Sequence, residues 1–168
     1  AADPEVQLMI LCSPHNPVGR AWSFEDIQKV GEICLKHQVL LVADEIHGDL
    51  IMPGHQFHSY GLLDPKLLEN VIICTAPSKS FNLAGLKSSN LIIPNPEIRK
   101  RMKEEIKASG LFGINPFGIV ATEAAYNEGE PWLEEAIGYI AKNFEFLEDF
   151  ITSSIPSLKV IPMEATYL

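Results

Sequence analysis

Basic residues are scarce in this chain: 13 Lys and Arg stand against 22 Asp and Glu, a net charge of -9. A surface of that sign does not grip a nucleic-acid backbone, whose phosphates are held by clustered Lys and Arg. The one basic cluster, Arg99, Lys100, Arg101 and Lys103, reads as the solvated face of a helix. Cysteine is sparse too. Cys12, Cys34 and Cys74 are odd in number, widely spaced and set in apolar stretches, which argues against a disulfide framework and predicts buried free thiols in a reducing compartment, the cytoplasm by default. Long apolar runs are missing: none approaches the ~20 residues that cross a bilayer, and no charged-then-apolar leader opens the chain. Neither membrane insertion nor secretion is expected. His47, His55 and His58 lie close together, but no Cys pair accompanies them, so no metal site is expected.

What is present suffices for one sizeable core, since 46% of the 168 residues are hydrophobic and 21% charged. Both ends look cut, because the chain runs at once into an apolar stretch and stops as another begins, so an excerpt of a longer protein is expected. Residues 6–12, 39–43 and 71–74 are short, nearly continuous apolar runs that predict strands buried on both faces, and 86–93 is a fourth candidate. Between the first two, Ser23 and Asp26 form a helix-start pair, with Phe24, Ile27, Val30, Ile33 and Cys34 at helical spacing behind it. Strand, helix, strand in this order predicts an α/β fold, a mostly parallel sheet with helices on both faces. Later, 96–109, 116–126 and 131–155 read as helices and 158–161 as a strand. The long helix carries a stripe of Leu133, Ile137, Ile140, Phe144, Leu147 and Ile151. The expected division is a large domain over 1–130, a helix leading out of it over 131–155, and the start of a smaller domain over 156–168.

Three polar residues fall at the carboxyl ends of these strands, where ligands of such sheets bind. They are Asn16 in Ser13-Pro14-His15-Asn16-Pro17-Val18-Gly19-Arg20, Asp44 in Ala43-Asp44-Glu45-Ile46-His47, and Lys79 in Ala76-Pro77-Ser78-Lys79-Ser80-Phe81-Asn82. Each has an ordinary reading when taken alone: a turn signal for Asn16-Pro17, a cap for Asp44, a solvated charge for Lys79. Together, an amide, a carboxylate and an amine are what pyridoxal phosphate needs: a hydrogen bond to its phenolic oxygen, a counter-charge for its ring nitrogen, and an amine to condense with its aldehyde. Asn16-Pro17 is also a bond of the kind that adopts cis geometry.

These motifs, with Asn115-Pro116-Phe117-Gly118, resemble pyridoxal-phosphate-dependent enzymes of the aspartate-aminotransferase fold, fold type I, over nearly the whole chain. Within that fold they resemble the cystathionine β-lyase-like branch that includes maltose-regulon modulators. The resemblance implies that Lys79 is the catalytic, cofactor-bonding lysine, that Asp44 faces the pyridine nitrogen, and that Asn16 donates to the phenolic oxygen. His47 stands where many aminotransferases carry a Tyr that bonds the same oxygen. It either makes that bond or packs beneath the ring and satisfies a backbone partner. Ser78 is implied as a phosphate contact. Lys87 stands where an Arg commonly binds phosphate, and it is either that contact or a solvated lysine, without the two-pronged geometry of Arg. Ala76 departs from a phosphate-binding Ser, and Thr75 is the neighbouring hydroxyl.

The implied activity is C–S β-elimination of cystathionine or cysteine conjugates, small amino-acid substrates, to pyruvate, ammonia and a thiol by a homodimer. An aminotransferase on the same scaffold is the nearest alternative, and a non-catalytic regulatory protein that retains the fold is another. The resemblance also implies that the glycine-rich phosphate segment, the aromatic that stacks on the cofactor ring and the arginine for the substrate carboxylate lie outside these residues.

Overall fold

The computed structural model describes residues 3–111 and 113–166. Its centre is a four-stranded sheet in the order β1 (Leu8–Cys12), β2 (Leu40–Asp44), β3 (Val71–Thr75), β4 (Asn90–Ile92). The first three strands run parallel and β4 pairs antiparallel to β3. Helix α1 (Phe24–Lys36) joins β1 to β2, and the single turn α2 (Pro65–Leu68) precedes β3. Then come another single turn, α3 (Pro77–Ser80), and three longer helices, α4 (Pro96–Ala108), α5 (Pro116–Glu128) and α6 (Glu130–Ser154). No helix among the described residues is long and apolar enough to cross a membrane.

Helix boundaries follow local chemistry. Ser23 caps α1, its Oγ accepting from the Asp26 N–H (3.1 Å) and donating to the Asp26 carboxylate (2.9 Å), so an orphan amide of the first turn is satisfied. Asn95 and Asn115 cap α4 and α5 in the same way, each followed by a proline at the first helical position, where the missing N–H costs nothing. At the end of β1 the chain reverses through Gly19 (φ +72°), where an added Cβ would come 3.2 Å from Met163 Cγ. Glycine is required there both by conformation and by space.

One face of the sheet holds the core. Leu41, Ala43, Val71 and Ile73 pack with Ile27 and Cys34 of α1 and with Tyr60, Leu63 and Leu67 of the connection to β3. The opposite face carries α4 near Leu40 and Ile72, which with Ile98 and Met102 line a cavity of about 300 Å³. It leaves Leu8 and Ile10 at 49% and 66% exposure. The stripe of α6 is half-buried except at Leu147, and Ile140, Phe144 and Leu147 line a cleft of about 340 Å³ with Val18, Ile161 and Met163.

Three expectations about the fold are corrected. None of the residues of β1 is fully buried, and one of its faces is left open at Leu8 and Ile10, so it is not a strand buried on both faces. Residues 158–161 form no strand. Leu158 and Ile161 are 57% and 73% exposed, and backbone pairing comes slightly later, where Met52 N–H donates to Glu164 O (3.0 Å) and Thr166 N–H to Leu50 O (2.7 Å). The fourth strand is confined to 90–92, because 84–86 turns as a 3-10 helix and Lys87 adopts a left-handed conformation (φ +55°).

Glu45 supports the core from the end of β2. Its carboxylate, in a residue 5% exposed, accepts from Ser59 Oγ (2.7 Å) and from the Tyr60 N–H (2.7 Å), fixing the 3-10 turn Tyr60–Leu62. Burial pushes its carboxyl above the usual value, and the two bonds work against that rise. Glu45→Ala strands both donors, and the expected loss is about 2–3 kcal/mol of unfolding free energy. A urea midpoint unchanged in Glu45→Ala would exclude this role.

Candidate active site

Register places Cys12, Asp44 and Cys74 in one row across β1, β2 and β3. In a parallel sheet such partners share a face, so the Asp44 carboxylate is flanked by two thiols. Backbone bonds tie the row together: Ser13 N–H donates to Asp44 O (3.0 Å) and Glu45 N–H to Cys74 O (2.9 Å). Burial raises both thiols above their ordinary value, and the Asp44 charge raises them further, so each stays protonated near neutral pH. The Cys12 S–H points to Pro14 O at 3.1 Å. Cys34 alone is fully buried, while Cys12 and Cys74 are half-buried, a correction to the expectation of three buried thiols. Apolar sequence neighbours could not show that the row ends at an open strand edge.

Asp44 is itself half-buried. Its Oδ1 lies 3.4 Å from the Ile46 N–H, and among the described residues it pairs with no Lys or Arg. Lys79 sits on α3, immediately after β3, half-buried and paired with no carboxylate among the described residues. His47 lies in the turn after β2 at 3% exposure, within electrostatic reach of both. Burial is the larger influence and holds the His47 imidazole below the ordinary value of 6.5; Asp44 works upward and Lys79 downward.

A depressed folded-state value means that the unfolded chain takes up a proton near pH 6.5 while the folded chain still refuses it. The His47 contribution to stability is therefore complete above that pH and is lost as the pH falls toward the folded value. Thermal melts of the full-length protein between about pH 8 and pH 5 should show this slope, and His47→Gln should flatten it. An equal slope in the variant would assign it to other groups.

Asn16 is exposed, with its backbone N–H beside the Cys12 sulfur, and its bond to Pro17 is cis, as is Ser13-Pro14. Ser78 is half-buried on α3, and its carbonyl accepts from the Leu83 N–H (3.1 Å). Lys87 is exposed at the end of the 3-10 turn Ala84–Leu86. The structure thus places His47 within electrostatic reach of both Asp44 and Lys79, sets the Asn16 N–H beside Cys12, the partner of Asp44 across the sheet, and leaves Lys87 on the surface.

Other residues near the site take packing roles. Tyr60 is fully buried in the core, Trp22 Nε1–H donates to Cys12 O (3.1 Å), and His58 meets the Phe24 ring edge-on at 6.0 Å. Two residues escaped the sequence reading: Asp49 and Ser80, joined by a 2.6 Å hydrogen bond between the turn that carries His47 and the helix that carries Lys79. Their nearness in sequence to Asp44 and Lys79 was the available signal.

The chain belongs to the class I and II aminotransferase family, whose description matches residues 1–168. Its sheet, with Asp44 and Lys79 following successive parallel strands, is that of a fold type I transferase. Among individual proteins it is similar to cystathionine beta-lyase PatB of Bacillus subtilis, 46% identical over 167 residues, which are 99% of this chain and 43% of PatB. Of solved structures, cystalysin from Treponema denticola, which contains a pyridoxal 5'-phosphate cofactor, superposes with a TM-score of 0.92 at 41% identity, covering 96% of this chain and 41% of that one. A pyridoxal-phosphate-bound C-S lyase from Staphylococcus hominis superposes with a TM-score of 0.86 at 36% identity, covering 96% and 40%. The chain spans about two fifths of the length of the curated relatives it matches.

Proposed function

We propose that the full-length protein is a pyridoxal-phosphate-dependent C–S β-lyase that splits cystathionine or related cysteine conjugates, with one water consumed, into pyruvate, ammonia and a thiol. The observation that carries this reading is the pair of half-buried, opposite charges at the strand ends, Asp44 and Lys79, neither paired with another side-chain charge of opposite sign among the described residues. A carboxylate without a cation fits a protonated pyridine nitrogen, and a lysine without a carboxylate fits an amine that must react. Asn16 and His47 would hold the phenolic oxygen, and Ser78 and Lys87 the phosphate. The names of PatB and of the Staphylococcus hominis enzyme support the reaction, and the cystalysin structure supports the cofactor.

Pyridoxal phosphate, when bound, supplies an electron sink for the negative charge left by the departing α-proton. The chain's own residues do the rest. Lys79 would hold the group at its aldehyde through Nζ and would serve as the base for the substrate α-proton. Asp44 would face the ring nitrogen of the group and keep a proton there. His47, neutral near pH 7 by the direction of its shift, would meet the phenolic oxygen without adding a second positive charge. In this reading α6 leads out of the cofactor domain, the working form is a homodimer, and the compartment is the cytoplasm, consistent with three free cysteines.

Incubating the full-length protein with cystathionine tests the assignment. Release of pyruvate and thiol in equal amounts is expected. Amino transfer to a keto acid without pyruvate would move the assignment to an aminotransferase. Sedimentation of the same protein checks the homodimer, which a monomer at micromolar concentration would exclude.

A further inference from the structure

Lys79 sits on a helix one turn long, and one turn has no stability of its own, because nucleation fixes several residues for very few backbone bonds. Its N-cap, Ala76, offers no side-chain bond. The position of Lys79 is therefore set by contacts from other elements, and two anchors follow it directly in sequence. Phe81 meets the Tyr126 ring edge-on at 5.5 Å and lies 6.4 Å from Trp132, with Gly129 so close that an added Cβ would stand 2.6 Å from its ring. This anchor ties α3 to α5 and α6. The other is Ser80, 1% exposed, whose Oγ donates to Asp49 Oδ2 at 2.6 Å.

The Ser80 anchor reaches the other half of the site. Asp49 ends a tight turn in which Gly48 N–H donates to Glu45 O (2.8 Å) and Leu50 N–H to His47 O (2.9 Å). That turn carries His47 and begins at the end of β2, where Asp44 stands. A short hydroxyl-to-carboxylate bond is among the stronger neutral-to-charged contacts, and here it spans the gap between the segment holding Asp44 and His47 and the segment holding Lys79. Asp49 also acts on the Tyr126 hydroxyl, which burial and then this carboxylate push upward, so both anchors converge on one wall.

We propose that Asp49 is a positioning residue for Lys79, acting through Ser80 to fix the distance between the lysine amine and the Asp44–His47 turn. The inference rests on the functional reading above and adds a residue to it. A bond that served stability alone would change the melting temperature and leave the chemistry of Lys79 as it was.

The test uses the full-length protein and the variants Ser80→Ala, Ser80→Thr and Asp49→Ala. Three readouts are needed: kcat and KM for cystathionine, the pH midpoint of the visible cofactor band, and the rate at which an amine-reactive ester labels Lys79 in the cofactor-free protein, followed by mass spectrometry. In Ser80→Ala, kcat should fall roughly tenfold or more with KM within about twofold, since displacement of a reacting group costs rate before binding. The band midpoint should move by about half a pH unit or more, the labelling rate should change, and Ser80→Thr should restore all three. Wild-type values of all three in Ser80→Ala, or no recovery in Ser80→Thr, overturn the proposal. Should Ser80→Ala fail to fold, Asp49→Ala, at an exposed position, carries the same test. The labelling rate requires neither cofactor nor substrate, which separates the two readings. Wild-type protein without a cofactor band overturns the β-lyase assignment, whereas unchanged Lys79 labelling in Asp49→Ala overturns the positioning role.

Discussion

Replacing Lys79 by alanine in the full-length protein is expected to lower β-elimination of cystathionine by about four orders of magnitude, a loss of about 5.5 kcal/mol of transition-state stabilisation. Two roles disappear together. On the proposed function, the amine that would bond the aldehyde carbon is lost, and with it the base that would take the α-proton. Since both roles belong to one nitrogen, their loss is not the sum of two smaller ones. Cofactor should still enter the site through Asp44, Asn16 and His47, but borohydride treatment should no longer fix it to the chain. Lys79→Arg sharpens the result, because it keeps the positive charge near His47 and removes the nucleophile. Arg and Ala variants that fail alike assign the effect to the amine; an Arg variant near wild-type rate would make Lys79 a mere counter-charge and sink the assignment.

Much of this arrangement was legible in the residues. The strands announce themselves because a strand buried in a parallel sheet has no polar face to show, as in Leu40–Asp44 and Val71–Thr75. Asp44 stands out because a carboxylate ends such a run. Ser23, Asn95 and Asn115 mark helix starts through bonds made within three residues, which is why local reading finds them. The failures are non-local. Leu158, Val160 and Ile161 are apolar but lack a ladder partner among the described residues, and a strand without one does not form. The flanking of Asp44 by Cys12 and Cys74 depends on register across three strands, and register is invisible from any single segment. The bond from Ser80 to Asp49 links residues 31 positions apart through side chains alone, so neither periodicity nor capping points to it.

The second large effect concerns that same row. In Asp44→Asn, full-length kcat for cystathionine should fall about 10²–10³-fold, the scale for removing one preorganised electrostatic partner of a developing charge, or roughly 3–4 kcal/mol. Unlike the Lys79 variants, this one should still hold cofactor on the chain after borohydride, because the amine is untouched. Attachment kept and turnover lost is the signature of a residue that tunes the ring without bonding it. The row predicts a second consequence that needs no substrate. Asp44 helps to raise the Cys12 and Cys74 thiols, after burial, and it raises His47 against burial. Without the carboxylate all three should titrate lower, so that alkylation of Cys12 and Cys74 in cofactor-free protein runs faster at a fixed pH near 8, where the thiolate is the reacting form. Cys34, which lacks Asp44 among the causes of its shift, should react at its original rate and serves as the internal control. Turnover within severalfold of wild type, or equal acceleration at all three thiols, would show that the Asp44 charge is not what organises the strand ends.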